Sequence, residues 1–361
     1  MTGIRIYKKL PSGISGLSRK INNLGMKFGL WFEPEMVNKN SDLYRNHPQW
    51  ILETPNRPSS HGRNQFVLDF SNPEVVIYVY NMMTEVIDKA NISYIKWDMN
   101  RCMTEVYSSC HDSESQGRVM HEYILGVYQL YELLTSRFPE ILFESCASGG
   151  ARFDPGMMYY APQCWTSDDT DALERLKIQY GTSMVYPVSS LGAHVSAAPN
   201  HQLLRNTPIE TRANVAYFGT FGYELDLNKL NMDEQIKVKE EITFIEGLCG
   251  DIQFGTFYRL KSPFEGNETV WMVVSQDQNT AIIGYYRTLQ EVNVGYRRVK
   301  LLGLDPDKEY HVNLNNTVHY GDELMNLGLI TTDSSCGENK EKYDGTNGDY
   351  LSRIYVLKAK I

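Results

Sequence analysis

Short apolar runs alternate with longer helical patterns up to about Leu248, and this alternation restricts the fold more than any other feature of the sequence. It is typical of an α/β fold built on a parallel sheet. Seven runs are predicted strands: Lys27 to Phe32, Gln65 to Phe70, Ser93 to Asp98, Ile141 to Ser145, Ala161 to Trp165, Ser190 to Val195 and Phe221 to Leu225. A closed (β/α)8 barrel needs eight strands, so this count is one short of a barrel.

The segments between these runs have helix start signals and apolar faces. Asn72 and Pro73 predict a capped helix that buries Val75, Val79, Met82, Val86 and Ala90. A second helix is predicted from about Val119 to Arg137, with a buried stripe of Ile124, Val127, Tyr128, Tyr131 and Leu134. Asn231 and Glu234 predict a capping box for a helix that ends before Gly247.

The pattern changes after about residue 250, where alternating segments are separated by Gly, Asn and Asp turns. These segments are Thr269 to Val274, Thr280 to Tyr286, Arg298 to Leu302 and Ser352 to Leu357. They predict a small antiparallel β domain, with a long polar surface loop from Asp333 to Tyr350. We therefore expect two domains, an α/β domain over residues 1–250 and a β domain over residues 251–361.

Charge and composition exclude several kinds of partner. Lys and Arg number 35 against 44 Asp and Glu, and no basic stripe is present, so nucleic acid is not an expected partner. No apolar run is long enough to span a bilayer, so no membrane association is expected. The six cysteines lack the spacing of a zinc site or of a disulfide scaffold, which favours free thiols in a reducing cytoplasm. His121 and Glu122 do not form an HExxH motif, so neither a metal nor a cofactor is expected.

Polar side chains are concentrated where the predicted strands end, which is where a barrel has its active site. They are Trp31, Glu33, Glu35, Asp69, Lys96, Asp98, Asn100, Arg101, Glu144, Cys146, Asp168, Asp169, Asp171 and His194. Carboxylates, aromatic rings and a cation around one opening suit a sugar, which presents hydroxyls on its rim and C–H groups on its faces.

Asp98 is the strongest single candidate for a catalytic residue. It ends an apolar strand beside Trp97, and Lys96 lies two residues earlier on the same face. A nearby cation favours an ionised carboxylate, as a nucleophile requires. A salt bridge that closes the barrel explains the same spacing equally well.

Asp168 lies 70 residues after Asp98, close to Asp169 and Asp171 and before a predicted helix. Mutual repulsion among these acids should raise the pKa of at least one, which suits a general acid. Acidic residues also cap helix N-termini, and that role fits Asp171 best. After another strand, Ser145 to Gly156 places small residues where a ligand could approach, with Cys146 as a pocket-lining thiol.

The strings GLWFEPEM, YIKWDMNR, ESCASGGARFDPGM and WTSDDTDALERLKIQYGTSMVYP resemble the bacterial α-galactosidases of glycoside hydrolase family 36, and the resemblance runs from about Leu10 to the C-terminus. It implies a (β/α)8 TIM-type barrel followed by a small antiparallel β domain. The implied activity is retaining, exo-acting hydrolysis of terminal α-D-galactosides such as melibiose and raffinose-type oligosaccharides. By the family motif, Asp98 resembles the nucleophile and Asp168 the acid/base.

The same resemblance assigns the substrate contacts and suggests a homo-oligomer. It places Trp31 against the sugar face, makes Arg63, Lys96 and Asn100 ligands of hydroxyls, and lines the pocket with Cys146, Gly149 and Trp165.

One departure from the family is expected to matter. Family members carry an N-terminal β-sandwich and a first barrel strand that ends in two aspartates, and this sequence begins after both. The barrel is therefore expected to miss its first strand, and activity of the chain alone is expected to be low. An α-N-acetylgalactosaminidase, a galactosyl transferase on the same scaffold and an inactive saccharide-binding fragment remain alternatives.

Overall fold

The computed structural model describes residues 9–292, 296–314, 316–331 and 348–360. These residues form two compact units, one ending at Trp165 and the other beginning at Thr166. The predicted loop from Asp333 to Tyr350 lies outside the described residues except at its last three positions.

The first unit contains a parallel sheet with helices packed on it. The strands of this unit are β1 (Gly29–Phe32), β2 (Met36–Asn38), β3 (Gln65–Val67), β4 (Tyr94–Trp97), β5 (Leu142–Ser145) and β6 (Gln163–Trp165). Its helices are α1 (Gly13–Asn23), α2 (Asp42–Asn46), α3 (Pro73–Ala90), α4 (Val119–Arg137) and α5 (Pro155–Tyr160). Strand β1 pairs with β4, β4 with β5 and β5 with β6, all in parallel, so their carboxyl ends share one edge.

The predicted strand from Gln65 to Phe70 is not part of the parallel sheet, so that prediction was wrong. Strand β3 instead pairs antiparallel with β2, which directly follows Glu35. Arg63 and Asn64 precede β3 with positive φ angles of 53° and 60°. A short apolar run looks the same in a buried parallel strand and in a short antiparallel pair, so periodicity alone did not separate them.

The two long helices of the first unit begin where predicted, and most of their predicted buried residues are confirmed: Val75, Val79 and Ala90 on α3, and Val127, Tyr131 and Leu134 on α4. Asn72 caps α3 by accepting a hydrogen bond from the Glu74 amide. Met83 and Ile87 are buried on α3, where Met82 and Val86 were expected. On α4, Tyr123 and Leu130 are buried in place of Ile124 and Tyr128. Both helices are apolar over a wide arc, so several stripes fit the sequence.

The second unit begins with helices and a pair of parallel strands. The helices are α6 (Ala172–Thr182), α7 (Ile209–Ala216), α8 (Met232–Glu246), α9 (Cys249–Phe254) and α10 (Gly321–Asn326). Strands β7 (Leu191–Ser196) and β8 (Thr220–Glu224) pair in parallel. The predicted capping box at Asn231 and Glu234 is confirmed at the start of α8. With the four strands of the first unit, the described residues contain six parallel strands, where seven were predicted.

An antiparallel sheet completes the second unit. Its strands are β9 (Thr256–Lys261), β10 (Glu268–Val274), β11 (Thr280–Arg287), β13 (Glu309–Val312), β14 (Thr317–Tyr320) and β16 (Leu351–Ala359), and a separate short pair is β12 (Arg298–Val299) with β15 (Leu329–Ile330). The sheet order is β14-β13-β16-β11-β10-β9. The predicted antiparallel sheet after residue 250 is therefore confirmed, although the segment predicted from Arg298 to Leu302 is a strand over only two residues. No helix among the described residues is long and apolar enough to cross a membrane.

Candidate active site

Asp98 lies at the carboxyl end of β4 and is held in one orientation by three donors. Its side chain is buried, with 6% of its surface exposed. The Met99 amide donates to Oδ1 at 2.8 Å, while Trp31 Nε1 and Asn100 Nδ2 donate to Oδ2 at 3.2 and 2.5 Å. Charged acceptors form the stronger hydrogen bonds, so the carboxylate is fixed at the edge of the sheet.

Trp31 supplies an aromatic surface beside this carboxylate. It lies on β1, directly across from Lys96 on β4, and 46% of its surface is exposed. A large aromatic side chain with this much exposure at a strand end offers a platform for the apolar face of a sugar.

Glu33 connects two of the predicted substrate ligands. Its Oε1 accepts hydrogen bonds from the Asn100 amide at 3.1 Å and from Asn100 Nδ2 at 3.0 Å. The guanidinium of Arg63 lies 3.6 Å from the same oxygen, and Gln65 Nε2 donates to Oε2 at 2.8 Å. Because Asn100 also bonds Asp98, one polar network connects the end of β1, the segment around the start of β3 and the residues after β4.

Lys96 contacts residues of the neighbouring strands β5 and β6. Its Nζ is 3.1 Å from Glu144 Oε1 and 4.8 Å from the centroid of the Trp165 ring. Glu144 also accepts a hydrogen bond from the Tyr94 hydroxyl and one at 3.1 Å from Gln163 Nε2. Burial, and then the charge of Glu144, raises the pKa of Tyr94 well above its ordinary range, so its hydroxyl stays a donor.

Cys146 and Gly149 follow β5. Cys146 is buried, and its burial, together with the negative charge of Asp98, raises the pKa of the thiol well above its ordinary range. A protonated thiol is a poor nucleophile, which supports a pocket-lining role. Gly149 has a φ of +84°, and its carbonyl accepts the Ala147 amide at 2.8 Å. A side chain at this position would strain the turn.

Asp168 belongs to the second unit, where it is exposed between β6 and α6. Its two acidic neighbours have structural partners. Asp169 Oδ1 accepts the Asp171 amide at 3.0 Å. Asp171 caps α6 by accepting the Leu173 and Glu174 amides and also pairs with Arg205, so the predicted capping role of Asp171 is confirmed.

Two acidic residues, Glu33 and Glu144, were recognised in the sequence as strand-end acids but not assigned to the site. The sequence contained a signal for the ion pair between Glu144 and Lys96, because parallel pairing of the two strands places these residues side by side. The contact between Glu33 and Arg63 had no such signal, since Arg63 directly precedes the run from Gln65 that was predicted as a barrel strand. No cluster of metal-ligating side chains is present in the part of the chain that the structure describes.

Family models match most of the chain. The melibiase model matches residues 5–255, and the model of the glycosyl hydrolase family 36 C-terminal domain matches residues 268–357. Alpha-galactosidase AgaA from Geobacillus stearothermophilus is 51% identical over 352 residues, which are 98% of this chain and 46% of that protein. Alpha-galactosidase Mel36A from Lactobacillus acidophilus is 42% identical over 98% of this chain and 47% of its own length.

Solved structures show the same similarity. The crystal structure of AgaA superposes with a TM-score of 0.94 at 49% identity, covering 100% of this chain and 49% of that chain. An AgaA variant solved in complex with raffinose gives a TM-score of 0.93 at 49% identity, covering 98% of this chain and 48% of that chain. This chain thus spans about half the length of the curated relatives it matches. The predicted fold class, a TIM-type barrel fold followed by an antiparallel β domain, is confirmed, with six parallel strands among the described residues.

Proposed function

Because the chain belongs to glycoside hydrolase family 36, we propose that it is a retaining exo-α-galactosidase acting on melibiose and raffinose-type oligosaccharides. The fixed carboxylate of Asp98 beside the half-exposed ring of Trp31 is the observation that supports this most directly. The 51% identity with an α-galactosidase, a variant of which was solved with raffinose, supports galactosides as the substrate class.

Two chemical steps follow from this assignment. In the first, an Asp98 oxygen attacks the anomeric carbon, the glycosidic bond breaks, and Asp168 gives its proton to the leaving oxygen. In the second, Asp168 takes a proton from water as the water oxygen attacks the anomeric carbon and releases Asp98. The two inversions together retain the α configuration of the galactose.

The remaining candidate residues bind the sugar in this proposal. Trp31 packs on the face of the galactose, and Asn100, Arg63 and Lys96 bind its hydroxyls. Their positions around the strand ends support these roles, because each is already held by a carboxylate that orients it. Cys146, Gly149 and Trp165 line the pocket, and all three are buried.

Three broader features are part of the same proposal. The catalytic domain covers residues 1–250 and the β domain residues 251–361, a division supported by the two family-model matches at 5–255 and 268–357. The free thiols of the five described cysteines support a cytoplasmic location. We also propose a homo-oligomer, which size-exclusion chromatography with light scattering would test.

The activity is tested with an aryl α-galactoside, melibiose and raffinose, with an aryl α-N-acetylgalactosaminide as the comparison. NMR of the first product formed should show α-galactose. Asp98→Ala should abolish turnover, and added azide should restore release of the aryl group with β-galactosyl azide as product. Asp88→Ala is the matched control, since Asp88 is exposed on α3 and pairs with Arg137.

Three results would contradict the proposal: no hydrolysis of any α-galactoside by the wild-type chain, β-galactose as the first product, or full activity in Asp98→Ala. If the wild-type chain hydrolyses no α-galactoside, calorimetry with galactose shows whether it still binds the sugar. Binding without turnover would identify a saccharide-binding fragment.

A further inference from the structure

We infer that Glu33 is a positioning residue, whose carboxylate sets both the orientation of the Asp98 nucleophile through Asn100 and the place of Arg63 at the substrate. This inference rests on the proposed α-galactosidase function and adds to it a residue with no assigned role. All of the contacts involved lie within the first unit.

One set of contacts, the first arm, connects Glu33 to the nucleophile through Asn100. Glu33 Oε1 accepts two hydrogen bonds from Asn100, one from its backbone amide and one from its side chain. The same Asn100 Nδ2 donates to Asp98 Oδ2 at 2.5 Å. An amide nitrogen has two hydrogens, so Asn100 bridges the two carboxylates and its side-chain angle is fixed by both. Without Glu33, one of the three donors to Asp98 would lose its anchor.

A second set of contacts, the second arm, connects Glu33 to the segment that leads into β3. Arg63 has a left-handed backbone conformation at the turn before β3, and 57% of its side chain is exposed. An exposed arginine loses considerable rotamer freedom when it is fixed, so an anchor is needed to hold it at a ligand. Glu33 Oε1 lies 3.6 Å from its guanidinium, and Glu33 Oε2 accepts a hydrogen bond from Nε2 of Gln65, the first residue of β3.

Comparison with Glu35 separates positioning from folding. Both carboxylates are buried near the end of β1, so both need partners to offset desolvation. Glu35 finds its partners in the interior of the unit: Trp97 Nε1, the Tyr123 hydroxyl and both terminal nitrogens of Arg152. Glu33 bonds Asn100 and Gln65 and faces Arg63, all at the candidate active site. The partners of Glu33 therefore suit a role in substrate binding and turnover.

Two substitutions separate the two arms. Glu33→Gln keeps an oxygen that can accept from Asn100 but removes the charge that faces Arg63. KM for melibiose should rise about 3- to 10-fold, while kcat stays within about 2-fold of the wild type. Glu33→Ala removes both arms, and kcat should fall about 10- to 100-fold in addition, because a small displacement of a reacting group is costly.

A double-mutant cycle tests the path through Asn100. If Glu33 acts on Asp98 through Asn100, the kcat loss in Glu33→Ala/Asn100→Ala should be close to that of Asn100→Ala alone. Tyr123→Phe is the structural control, because it removes a buried hydrogen bond to Glu35 without changing any contact of Glu33. It should lower Tm and leave KM and kcat at their wild-type values.

The outcomes distinguish this inference from the function on which it rests. Glu33→Ala with wild-type KM and kcat, or losses that multiply fully in the double variant, would overturn the role of Glu33 while the function stands. If Glu33→Ala does not fold, Glu33→Gln decides through its KM, and an unchanged KM for melibiose would overturn the inference. A wild-type chain that neither hydrolyses aryl α-galactosides nor binds galactose by calorimetry would overturn both.

Discussion

At the scale of single residues, the structure separates acids that look equivalent in the sequence. Asp168, Asp169 and Asp171 lie within four positions, and the sequence alone did not distinguish Asp168 from Asp169 as an acid. The structure shows Asp171 and Asp169 bonded to backbone amides of the turn and helix that follow. Asp168 is exposed in the segment between β6 and α6, and this accessibility supports its proposed role as the acid/base.

Asp168→Ala should therefore impair substrates with poor leaving groups far more than activated ones. Melibiose needs protonation of its leaving oxygen, whereas an activated aryl group leaves without it. We expect kcat/KM for melibiose to fall about 100-fold or more, with a much smaller first-step loss for a dinitrophenyl α-galactoside. Asp169→Asn is the matched control, because it keeps an oxygen for the Asp171 amide. Equal losses on both substrates would exclude the acid role of Asp168.

At the scale of elements, local signals predicted which segments are helices or strands better than they predicted their partners. The apolar run around Ile95 is the β4 strand of the parallel sheet, as predicted. The run beginning at Gln65 is also extended, but its partner is β2, a three-residue strand with no periodicity long enough to detect. Pairing depends on contacts distant in sequence, which no local window contains.

Helix ends were predictable for the opposite reason, because capping is local. Asn72 and the Asn231–Glu234 box satisfy amides within three residues of themselves, so the sequence contains the whole motif. The buried faces of α3 and α4 depend on neighbouring elements, and there the prediction was right for three of the five residues on each helix. The site followed the same rule: strand-end residues were predicted, while contacts between segments distant in sequence, such as Glu33 with Arg63, were not.

Helix α8 contains a carboxyl whose pKa predicts a pH-dependent stability. Burial raises the pKa of Glu241 to about 7 from its ordinary value of 4.5, although the Tyr223 hydroxyl, Arg212 and Lys237 oppose the shift. Between these two values the folded chain binds more protons than the unfolded chain, so stability falls as pH rises through this range and levels off above about pH 7. The fall is at most about 1.4 kcal/mol per pH unit.

Glu241→Gln should remove this component, because a glutamine oxygen still accepts the Tyr223 hydroxyl and does not ionise. Urea unfolding at several pH values from about 5 to 8 should show the wild type losing stability relative to Glu241→Gln as pH rises. Glu246→Gln changes an exposed carboxyl on the same helix that is not among the causes of the raised pKa of Glu241, and it should keep the wild-type slope. A Glu241→Gln slope equal to that of the wild type would contradict the assignment.

At the scale of the whole molecule, family similarity resolves what local patterns leave open. Strand-end chemistry indicates a sugar site in many barrels, and the residues alone did not select galactose over another sugar. The match to α-galactosidases extends over nearly the whole chain, including the β domain, where no candidate site residue lies. Sequence similarity far from the site therefore constrains the proposed substrate more than the pattern of acids does.

Selective stabilisation by galactose is the prediction that belongs to the whole chain. A ligand that binds only the folded state adds about 2.7 kcal/mol to the free energy of unfolding at a hundredfold excess over its Kd. Differential scanning fluorimetry should therefore show a Tm that rises by several degrees with galactose concentration. Glucose, which differs at a single hydroxyl, should give a much smaller rise, and Asn100→Ala should reduce the rise with galactose. Equal shifts with both sugars would show that the stabilisation is a solvent effect, and the galactose specificity would then be wrong.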